Sequence, residues 1–366
     1  GLGDVYKRQP QYHPIPENDK YWGKGFTEWT NVAKAKPLFR GHYQPHIPAD
    51  LGFYDLRLPE VREAQAELAR DAGIEGFCYY HYWFGNGKML LQKPFEEVLR
   101  LGKPDFPFCL CWANHDWTTK TWVKGSSMVN NTMIAQQEYL GEQDDIKHFE
   151  YCLRAFKDHR YITIEGKPIF LIYDPLSFPN VKEFMNRWNF LAKKNNLKGI
   201  YFIGVTTGRQ SSYKIVTNLG FDGVCHNRRW EAEAKAAGFR FVRRMQSLLG
   251  WHLGISLMKY DYNKVVRNYD TPENKLENCY PVITPGFDRT PRAGRRAGIY
   301  VNSSPKNFKK HVAEVCKSIQ DKDDDHRLVF LSAWNEWGEG NYMEPDLKWG
   351  HGYLEALKSV VKFQIK

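Results

Sequence analysis

The sequence predicts an α/β protein, a (β/α)8 TIM-like barrel, on three observations. Apolar runs of strand length alternate with amphipathic helical patterns, which is typical of parallel strands joined by crossover helices. At least seven such runs occur within 366 residues, a length that suits a barrel better than a doubly wound sheet. No phosphate-binding glycine motif of the GxGxxG or GxxxxGKS/T type follows any run, which argues against a nucleotide-binding fold.

The elements follow one another in regular order along the chain. The predicted strands lie within the apolar runs of residues 73–84, 106–117, 167–175, 199–207, 221–227, 280–287 and 327–337. The predicted helices have apolar residues at three- and four-residue spacing and cover residues 58–73, 93–102, 142–158, 181–196, 307–320 and 352–364. We interpret residues 229–279 as an insertion of less clear type.

The N-terminus departs from this pattern. A barrel needs a first strand before the turn-like segment 10–19, but the residues there are the short, charged "VYKRQ". We therefore expect the first strand to be missing or replaced, with residues 1–9 a truncated or non-native N-terminus. The barrel would then have an open seam between its second and eighth strands.

Composition limits the partners that we expect. The net charge of +10 comes from scattered basic residues, apart from short clusters such as 289–296, so we interpret it as a solvated basic surface. We expect no nucleic-acid partner; a phosphate-bearing ligand is the alternative. No apolar run approaches the roughly 20 residues that a membrane span needs, and no secretory leader is visible.

The cysteines predict a reducing compartment. There are seven, an odd number, with no CxxC pair. Cys78, Cys109, Cys111 and Cys225 lie in or beside apolar runs, where cysteine usually acts as a small buried hydrophobe. We therefore expect a cytoplasmic protein without a disulfide framework, and no metal site.

Polar and aromatic residues are concentrated where the predicted strands end. Active sites of α/β barrels are built from the loops at that end. Aromatic residues make up 15% of the chain, more than core packing alone needs, and rings with a polar tip suit sugar-binding clefts. The residues at these ends are Tyr79, Tyr80, His81, Tyr82, Trp83, Trp112, Asn114, His115, Asp116, Trp117, Asp174, Asp288, Arg289, Glu336 and Glu339.

Structural explanations compete with functional ones at two of these positions. His81 could be a hydrogen-bonded histidine at the barrel rim, and Asp174 could simply begin a turn. The run 112–117 favours function, because two tryptophans with Asn, His and Asp between them are costly to bury. Glu336 and Glu339 favour function most strongly, because they follow a buried strand and are flanked by tryptophan and glycine.

Two carboxyl groups three residues apart can cleave a glycosidic bond. One group protonates the leaving oxygen and the other acts as base or nucleophile. In a turn or helix such side chains come within about 5–6 Å of each other, and like charges that close keep one group protonated. Gly338 and Gly340 allow a tight turn and leave room for a ligand. The spacing alone does not decide between retention and inversion.

Four segments together resemble a known family. Residues 10–32, 73–84, 111–117 and 333–346 are similar to the WbsX-like proteins, bacterial proteins associated with surface-polysaccharide synthesis and named glycosyltransferases. Their domain is similar to glycoside hydrolase family 99, the endo-α-mannosidase type. The resemblance covers nearly the whole chain from residue 10, and it implies that 10–366 is a single glycoside-hydrolase-like barrel domain.

The resemblance also implies a mechanism. Family 99 carries its catalytic glutamates in an Asn-Glu-Trp-x-Glu-Gly segment, which here is 335–340. Glu336 would take the proton from the substrate 2-hydroxyl, which attacks the anomeric carbon to give an anhydrosugar. Glu339 would protonate the leaving oxygen and later activate water, with retention of configuration. The family implies an oligosaccharide or polysaccharide substrate and no metal or nucleotide cofactor.

The matching segments and strand ends also supply the residues that we expect to bind substrate. These are Trp22, Glu28, Trp29, Tyr80, His81, Tyr82, Trp112, Asn114, His115, Asp116, Trp117, Asp174, Asn335, Trp337 and Glu344. Trp22, Tyr80, Trp112 and Trp117 are expected to form the walls of a sugar cleft. One departure is His115, where many of the family have Glu, and it bears on sugar preference.

Two alternatives to a retaining hydrolase or transglycosylase stay open. A nucleotide-sugar-dependent glycosyltransferase would need a diphosphate site, often with a DxD-type metal motif. The acidic segments 143–147 and 321–326 are interpreted instead as surface segments beside helices. The other alternative is an inactive glycan-binding barrel, which would bind oligosaccharide without turnover. Sugar identity, linkage and oligomeric state are not predicted.

Overall fold

We describe the protein from a computed structural model. It describes residues 3–8, 10–119, 132–208, 210–238, 245 and 258–364, with 3–8 and 362–364 described as backbone alone.

Eight parallel strands form a closed ring. Each strand pairs in parallel with the next, and the last strand pairs with the first. They are β1 (Gly3–Arg8), β2 (Gly76–His81), β3 (Phe108–Trp112), β4 (Lys167–Ile172), β5 (Tyr201–Val205), β6 (Gly223–His226), β7 (Cys279–Ile283) and β8 (Leu328–Leu331). The chain is thus an α/β barrel of the TIM type, and the seven predicted strands are confirmed.

The expectation that the first strand is missing was wrong. β1 lies between β2 and β8, with Val5 opposite both Gly76 and Phe330. The barrel therefore has no open seam at this place. The prediction failed because it rested on side-chain hydrophobicity, whereas a strand is held in its sheet by backbone N–H and C=O groups, which charged residues also provide.

Helices follow the strands and cover the barrel from outside. Those of the described residues are α1 (Pro16–Trp22), α2 (Glu28–Lys34), α3 (Pro59–Asp71), α4 (Lys93–Leu101), α5 (Glu142–Phe156), α6 (Val181–Lys194), α7 (Tyr213–Asn218), α8 (Arg229–Ala236), α9 (Tyr262–Val266), α10 (Thr290–Ala293), α11 (Pro305–Ser318) and α12 (Gly352–Gln364). Local sequence explains several starts. Pro59 and Pro305 occupy the first turn, where the missing N–H costs nothing, and Ser304 caps α11 by accepting from Asn307 N–H.

The main core lies between the barrel and its helices. β3, β5, β6, β7 and β8 are buried along their whole length, as expected for strands covered on both faces. All seven cysteines are buried and free, including the four expected to act as small core residues. Burial raises the pKa of Cys78 and Cys225 well above the ordinary thiol value, so these thiols are not activated.

Short strands lie outside the ring. Met258–Asp261, within the expected insertion, pairs in parallel with Gly298–Val301. Trp117–Thr118 pairs with Met133–Ala135, Thr163–Ile164 with Lys167–Pro168, and Asn335–Glu336 with Asn341–Tyr342, all antiparallel. Four 3₁₀ turns, Pro175–Ser177, Pro272–Lys275, Gly294–Arg296 and Asp324–His326, connect elements, and a fifth, Trp337–Glu339, follows β8. Within the described residues, no helix is both long and apolar enough to cross a membrane.

Candidate active site

A short hairpin after β8 carries the two glutamates that the sequence singled out. Asn335–Glu336 and Asn341–Tyr342 form its antiparallel strands, and the 3₁₀ turn Trp337–Glu339 closes it. Gly340 ends the turn with φ of +54°, a left-handed conformation that glycine adopts without strain. Glu336 is therefore the last residue of the first short strand, and Glu339 is the last residue of the turn that follows it.

Buried hydrogen bonds hold this hairpin from below. The Glu344 carboxylate accepts from Tyr54 Oη at 2.8 Å, Gln65 Nε2 at 2.5 Å and Trp337 Nε1 at 2.6 Å. Tyr12 Oη contacts the Asn335 carbonyl oxygen and lies 3.2 Å from Trp337 N. Since each buried donor has a defined acceptor, the backbone around Glu336 is fixed by the core rather than by solvent.

One arginine joins three carboxylates. Arg292, on α10, lies with Nη2 2.8 Å from Glu28 Oε2 and with Nη1 2.7 Å from Glu339 Oε1. Its Nη2 also contacts Glu336 Oε1. The guanidinium is 8% exposed and Glu28 is completely buried, so these charges interact with little screening by water. We call Glu28, Arg292, Glu336 and Glu339 the carboxylate cluster.

The arginine bears on the charges of the two glutamates. Arg292 contacts both Glu336 and Glu339, and a cation that neutralised both carboxylates would leave no proton donor. A single positive charge, however, cannot balance three carboxylates. Burial raises the pKa of Glu28 to about 7, with Glu336 and Glu339 adding to the rise and Arg292 opposing it. Glu28 therefore takes up a proton close to neutral pH, because burial disfavours its ionised form.

Gly338 permits this close approach. A Cβ atom at this position would lie 1.7 Å from Glu28 Oε1 and 2.9 Å from Arg292 Nε. Any side chain there would push Glu28 and Arg292 out of place. Position 338 thus requires glycine because there is no space for a side chain. Position 340 favours glycine for a different reason, its left-handed backbone conformation.

The loop after β7 fixes the other side of the hairpin. Asp288 N donates to the Glu339 carbonyl oxygen at 2.6 Å. The Asp288 carboxylate is buried and accepts from His42 Nε2 at 2.8 Å and from Gln44 Nε2 at 2.7 Å. Although burial works the other way, hydrogen bonds from His42, Thr290 and Gln44 hold the pKa of Asp288 below its ordinary value. This carboxylate is a structural anion.

A cavity of about 270 Å³ opens at the carboxyl ends of the strands, beside Glu339. Its floor is made by alternate residues of the barrel strands, including Cys78, Cys111 and Cys225. Tyr80, Tyr173 and Asn227 are higher on the wall. A second cavity of similar size lies beyond Phe287 and Tyr300, which line both, and its further walls are the aromatic residues Phe39, Tyr43, Trp349 and Tyr353.

Of the four residues expected to wall the cleft, Tyr80 lines the cavity. Trp117 is buried in a stack on Tyr82, with ring centroids 5.8 Å apart. Burial first, and then the charge of Glu336, raise the pKa of Tyr82, which places that phenol within electrostatic range of the carboxylate cluster. Trp22 is half-buried and packs against Phe26 at 5.1 Å.

The prediction that Trp112 and His81 lie in the cleft was wrong. Trp112 is 2% exposed and packs between the barrel and the helices, where its Nε1 donates to the Trp83 carbonyl oxygen at 2.9 Å. His81 Nε2 is hydrogen-bonded to His148 Nε2 of α5 at 2.8 Å. The reason is strand alternation: Tyr80 and Cys111 point into the barrel, so their successors His81 and Trp112 point outward.

The remaining residues of the third and fourth strand ends have local partners. Asn114 is buried and bonds the backbone of Asp174 in both directions, at 2.8 and 2.7 Å. Asp174 itself accepts from Ser177 Oγ at 2.7 Å and caps a 3₁₀ turn, as the structural explanation expected. His115 and Asp116 are exposed; His115 lies 5.4 Å from the Tyr173 ring, and Asp116 accepts from Gln137 N.

Four predicted contact residues lie behind the cavity rather than on it. Asn335 and Trp337 are fully buried, Glu344 is 3% exposed, and Trp29 packs on Trp337 at 5.6 Å. Their hydrogen bonds and ring contacts support the hairpin. Glu28, by contrast, joins Glu336 and Glu339 in the carboxylate cluster.

Sequence reasoning missed Arg292 and misjudged its neighbourhood. The cluster 289–296 was interpreted as basic surface, but Arg289 and Arg292 face the site while Arg295 and Arg296 are exposed. The sequence did hold one indication: Asp288 and Arg289 follow a predicted barrel strand, and the loops at that end of a barrel build the active site. The acidic segment 143–147 was also misplaced, since Asp144 and Asp145 are buried in the first turn of α5.

Three potential metal ligands come together elsewhere in the described part of the chain. His81, His148 and Cys152 have ligand atoms within 4.8 Å of one another. The two histidines already bond each other, and Trp83 stacks on His148 at 4.6 Å. Burial lowers the pKa of His81 to about 3, so the ring is neutral. This arrangement is a polar pair in an aromatic core, away from the carboxylate cluster.

An α/β barrel whose strand ends carry buried, clustered carboxylates is the architecture of many enzymes that act on sugars. Residues 8–357 match the family described as Glycosyltransferase WbsX, and the chain belongs to that family. Two relatives named uncharacterized protein WxcX, from Xanthomonas campestris pv. campestris strains B100 and ATCC 33913, are each 33% identical over 353 residues. The match covers 96% of this chain and 48% of theirs, so the chain spans about half the length of these relatives.

Solved structures resemble the fold. The GH99 endo-alpha-mannosidase from Bacteroides thetaiotaomicron has a TM-score of 0.58 at 15% identity, covering 100% of this chain and 98% of that one. A glycoside hydrolase-like protein has a TM-score of 0.59 at 15% identity, covering 98% and 94%. At this identity the likeness establishes the shared barrel fold.

Proposed function

We propose that this protein is a retaining glycoside-cleaving or glycosyl-transferring enzyme that uses Glu336 and Glu339 on a bacterial surface polysaccharide or related glycan. The observation that carries the proposal is that one buried arginine, Arg292, holds both carboxylates beside a cavity of about 270 Å³. A cavity of that size is at the lower end for small-ligand sites and suits a single sugar unit.

Glu336 is the base. It is 1% exposed, and its Oε1 is contacted by Arg292 Nη2, which fixes the position of the carboxylate. The carboxylate takes the proton of the substrate 2-hydroxyl, and that oxygen attacks the anomeric carbon as the glycosidic bond breaks. The product of this step is a 1,2-anhydrosugar, with the configuration inverted once.

Glu339 is the acid and then the base. It is the more exposed member of the pair and lies on the cavity wall, where the leaving oxygen can reach it. It gives that oxygen the proton that a general acid supplies. Glu339 then removes a proton from the incoming hydroxyl as the anhydrosugar opens, while Glu336 returns its proton to the 2-oxygen; the centre inverts again, which gives net retention.

The same steps serve hydrolysis and transfer. When water opens the anhydrosugar the outcome is hydrolysis, and when a sugar hydroxyl does so the outcome is transfer. A family named for glycosyl transfer and a fold shared with a glycoside hydrolase are therefore compatible without a nucleotide sugar. The acidic segment 143–147 offers little to such a donor, since Asp144 accepts from Trp83 and Asn86, and Asp145 pairs with Arg187.

Buried residues behind the cluster act by positioning. Glu344, Asn335 and Trp337 fix the hairpin, and Trp29 packs beneath it. Catalytic groups held by packing and hydrogen bonds keep the geometry that the reaction needs.

Leaving-group dependence tests the proposal. Glu339→Gln removes the proton donor and keeps the shape, so hydrolysis of unactivated glycosides should fall by about 10²–10⁴-fold. Aryl glycosides with good leaving groups need less protonation and should be partly spared. Glu336→Gln should abolish turnover of both kinds, and a 2-deoxy substrate should be inert. Full turnover of the 2-deoxy substrate would rule out attack by the 2-hydroxyl.

A further inference from the structure

Two arginines line the cavity that the carboxylate cluster faces. Arg229, at the start of α8, and Arg289, at the start of α10, both form part of its wall. Glu339 is the one carboxylate among the described lining residues. Among the described lining residues two guanidinium groups therefore face one carboxylate, an excess of one positive charge that becomes two when Glu339 is protonated.

Arg289 has weak pairing with protein groups. Its Nε lies 3.5 Å from Glu339 Oε1, an oxygen that Arg292 Nη1 approaches to 2.7 Å. Within the described residues, Arg289 Nε is buried without a hydrogen-bond partner, while the side chain as a whole is 35% exposed. Once Glu339 carries the proton that an acid needs, Arg289 faces no ionised carboxylate within 4 Å among those residues.

Arg229 is placed by stacking. Its guanidinium lies 4.5 Å from the centroid of the Phe287 ring and 4.8 Å from that of Trp230. Its Nε is 3.6 Å from Glu233 Oε1, too long for a hydrogen bond, and Glu233 also accepts from Tyr300 Oη at 2.9 Å. The planar fork is thus oriented by aromatic faces and is not held in a tight bidentate pair.

The rest of the polar wall is neutral. It consists of hydroxyl and amide groups from Thr206, Thr207, Asn227, Ser332 and Asn341. These suit the hydroxyls of a sugar ring, but a neutral ring would leave the two guanidinium groups with only their long ion pairs, Arg229 to Glu233 at 3.6 Å and Arg289 to Glu339 at 3.5 Å. Carboxylates and phosphates are the groups that arginine forks bind most strongly.

We propose that the sugar unit bound in this cavity carries an anionic oxygen group, a carboxylate or a phosphate, which Arg289 and Arg229 bind. The inference rests on the proposed function, because it concerns the substrate of the same site. It names the substrate class as an acidic glycan and makes the two arginines its specificity determinants.

Binding to a protein that cannot turn over separates this inference from the proposed function. Titration calorimetry with the Glu336→Gln protein would use oligosaccharides from acidic bacterial surface polysaccharides in three forms: untreated, carboxyl-reduced and dephosphorylated. One of the two treatments should weaken binding by about tenfold to a hundredfold, as expected for losing a charge-assisted pair, and it identifies the group. Equal affinity for all three forms overturns the inference.

The arginine variant and its control complete the test. Arg289→Gln, in the Glu336→Gln background, should lower affinity for the acidic oligosaccharide and leave affinity for its neutralised form unchanged. Arg295→Gln removes an equal charge from the same loop at an exposed position, and it should change neither. Thermal melting of each variant shows that it folds. Equal loss with both variants overturns the inference, since it indicates a general charge effect.

The two proposals fail differently. Turnover of neutral glycans with no preference for acidic ones contradicts the inference and leaves the proposed chemistry standing. Preferential binding of acidic glycans by a protein that never turns them over contradicts the chemistry and leaves the inference standing.

Discussion

At residue 338 the carboxylate cluster leaves no room for a side chain. We predict that Gly338→Ala displaces Glu28 or Arg292, because the added Cβ would lie 1.7 Å from Glu28 Oε1. Overpacking of this kind costs about 1–3 kcal/mol of unfolding free energy, and misplaced catalytic groups can cost about a hundredfold in rate. Urea unfolding and kcat measure the two effects. Gly298→Ala is the control, since its nearest neighbour is 3.5 Å away, and a similar loss there would count against a specific clash.

Glu28 makes the stability of the fold depend on pH. Its pKa is raised to about 7 by burial, so the folded protein binds this proton more tightly than the unfolded chain does. A raised carboxyl pKa stabilises the fold at pH below the unfolded value, and that contribution is lost as pH rises through about 7.

We predict that the pH dependence of stability differs between wild type and Glu28→Gln. Between about pH 5 and about pH 8 the wild type should lose on the order of 2 kcal/mol more than the variant, in which glutamine mimics the protonated acid. Chemical denaturation across this range measures the difference. Parallel curves would mean that Glu28 is ionised at all these pH values.

Glu336 and Glu339 were predictable because their signal is local. They share one short segment with tryptophan and glycine at a strand end. Arg292 was not predictable, because its partner Glu28 is 264 residues away in sequence and such a pair leaves no periodic pattern. His81 and Trp112 could have been assigned correctly, since alternation along a strand already separates inward from outward side chains.

At the scale of elements, the hairpin after β8 depends on Glu344 rather than on its own short strands. We predict that Glu344→Gln costs about 2–3 kcal/mol of unfolding free energy, because the new amide nitrogen must face a donor from Tyr54, Gln65 or Trp337. Activity should fall as well, since the hairpin carries both glutamates of the proposed mechanism. Glu355→Gln, on the exposed face of α12, should stay within about 0.5 kcal/mol of wild type. Equal losses of unfolding free energy at the two positions would show that Glu344 does not stabilise the hairpin specifically.

Seven of the eight ring strands were predictable from the sequence, and β1 was not. Each of the seven apolar runs became a ring strand, because strands covered on both faces must be apolar throughout. β1 escaped notice because the sequence Gly3–Arg8 lacks that signature, although its backbone pairs on both sides.

At the scale of the whole molecule, closure of the barrel depends on that strand. We predict that Val5→Pro lowers the free energy of unfolding by about 3 kcal/mol or more, because proline removes an N–H from a strand paired on both edges. Val5→Thr keeps the N–H and serves as the control. Urea denaturation compares the two. Equal stability of the proline variant and wild type would show that residues 3–8 contribute little to the barrel.

The central claim is that Glu336 and Glu339, held by Arg292, process a glycan without a nucleotide sugar. The most direct measurement follows bacterial surface oligosaccharides by mass spectrometry and anomer-resolved NMR, with and without nucleotide sugars, in wild type and Glu336→Gln. We predict that the wild type cleaves or transfers them with retained configuration in the absence of any nucleotide sugar, and that Glu336→Gln is inactive. Turnover that requires a nucleotide sugar, or that persists in Glu336→Gln, would contradict the claim.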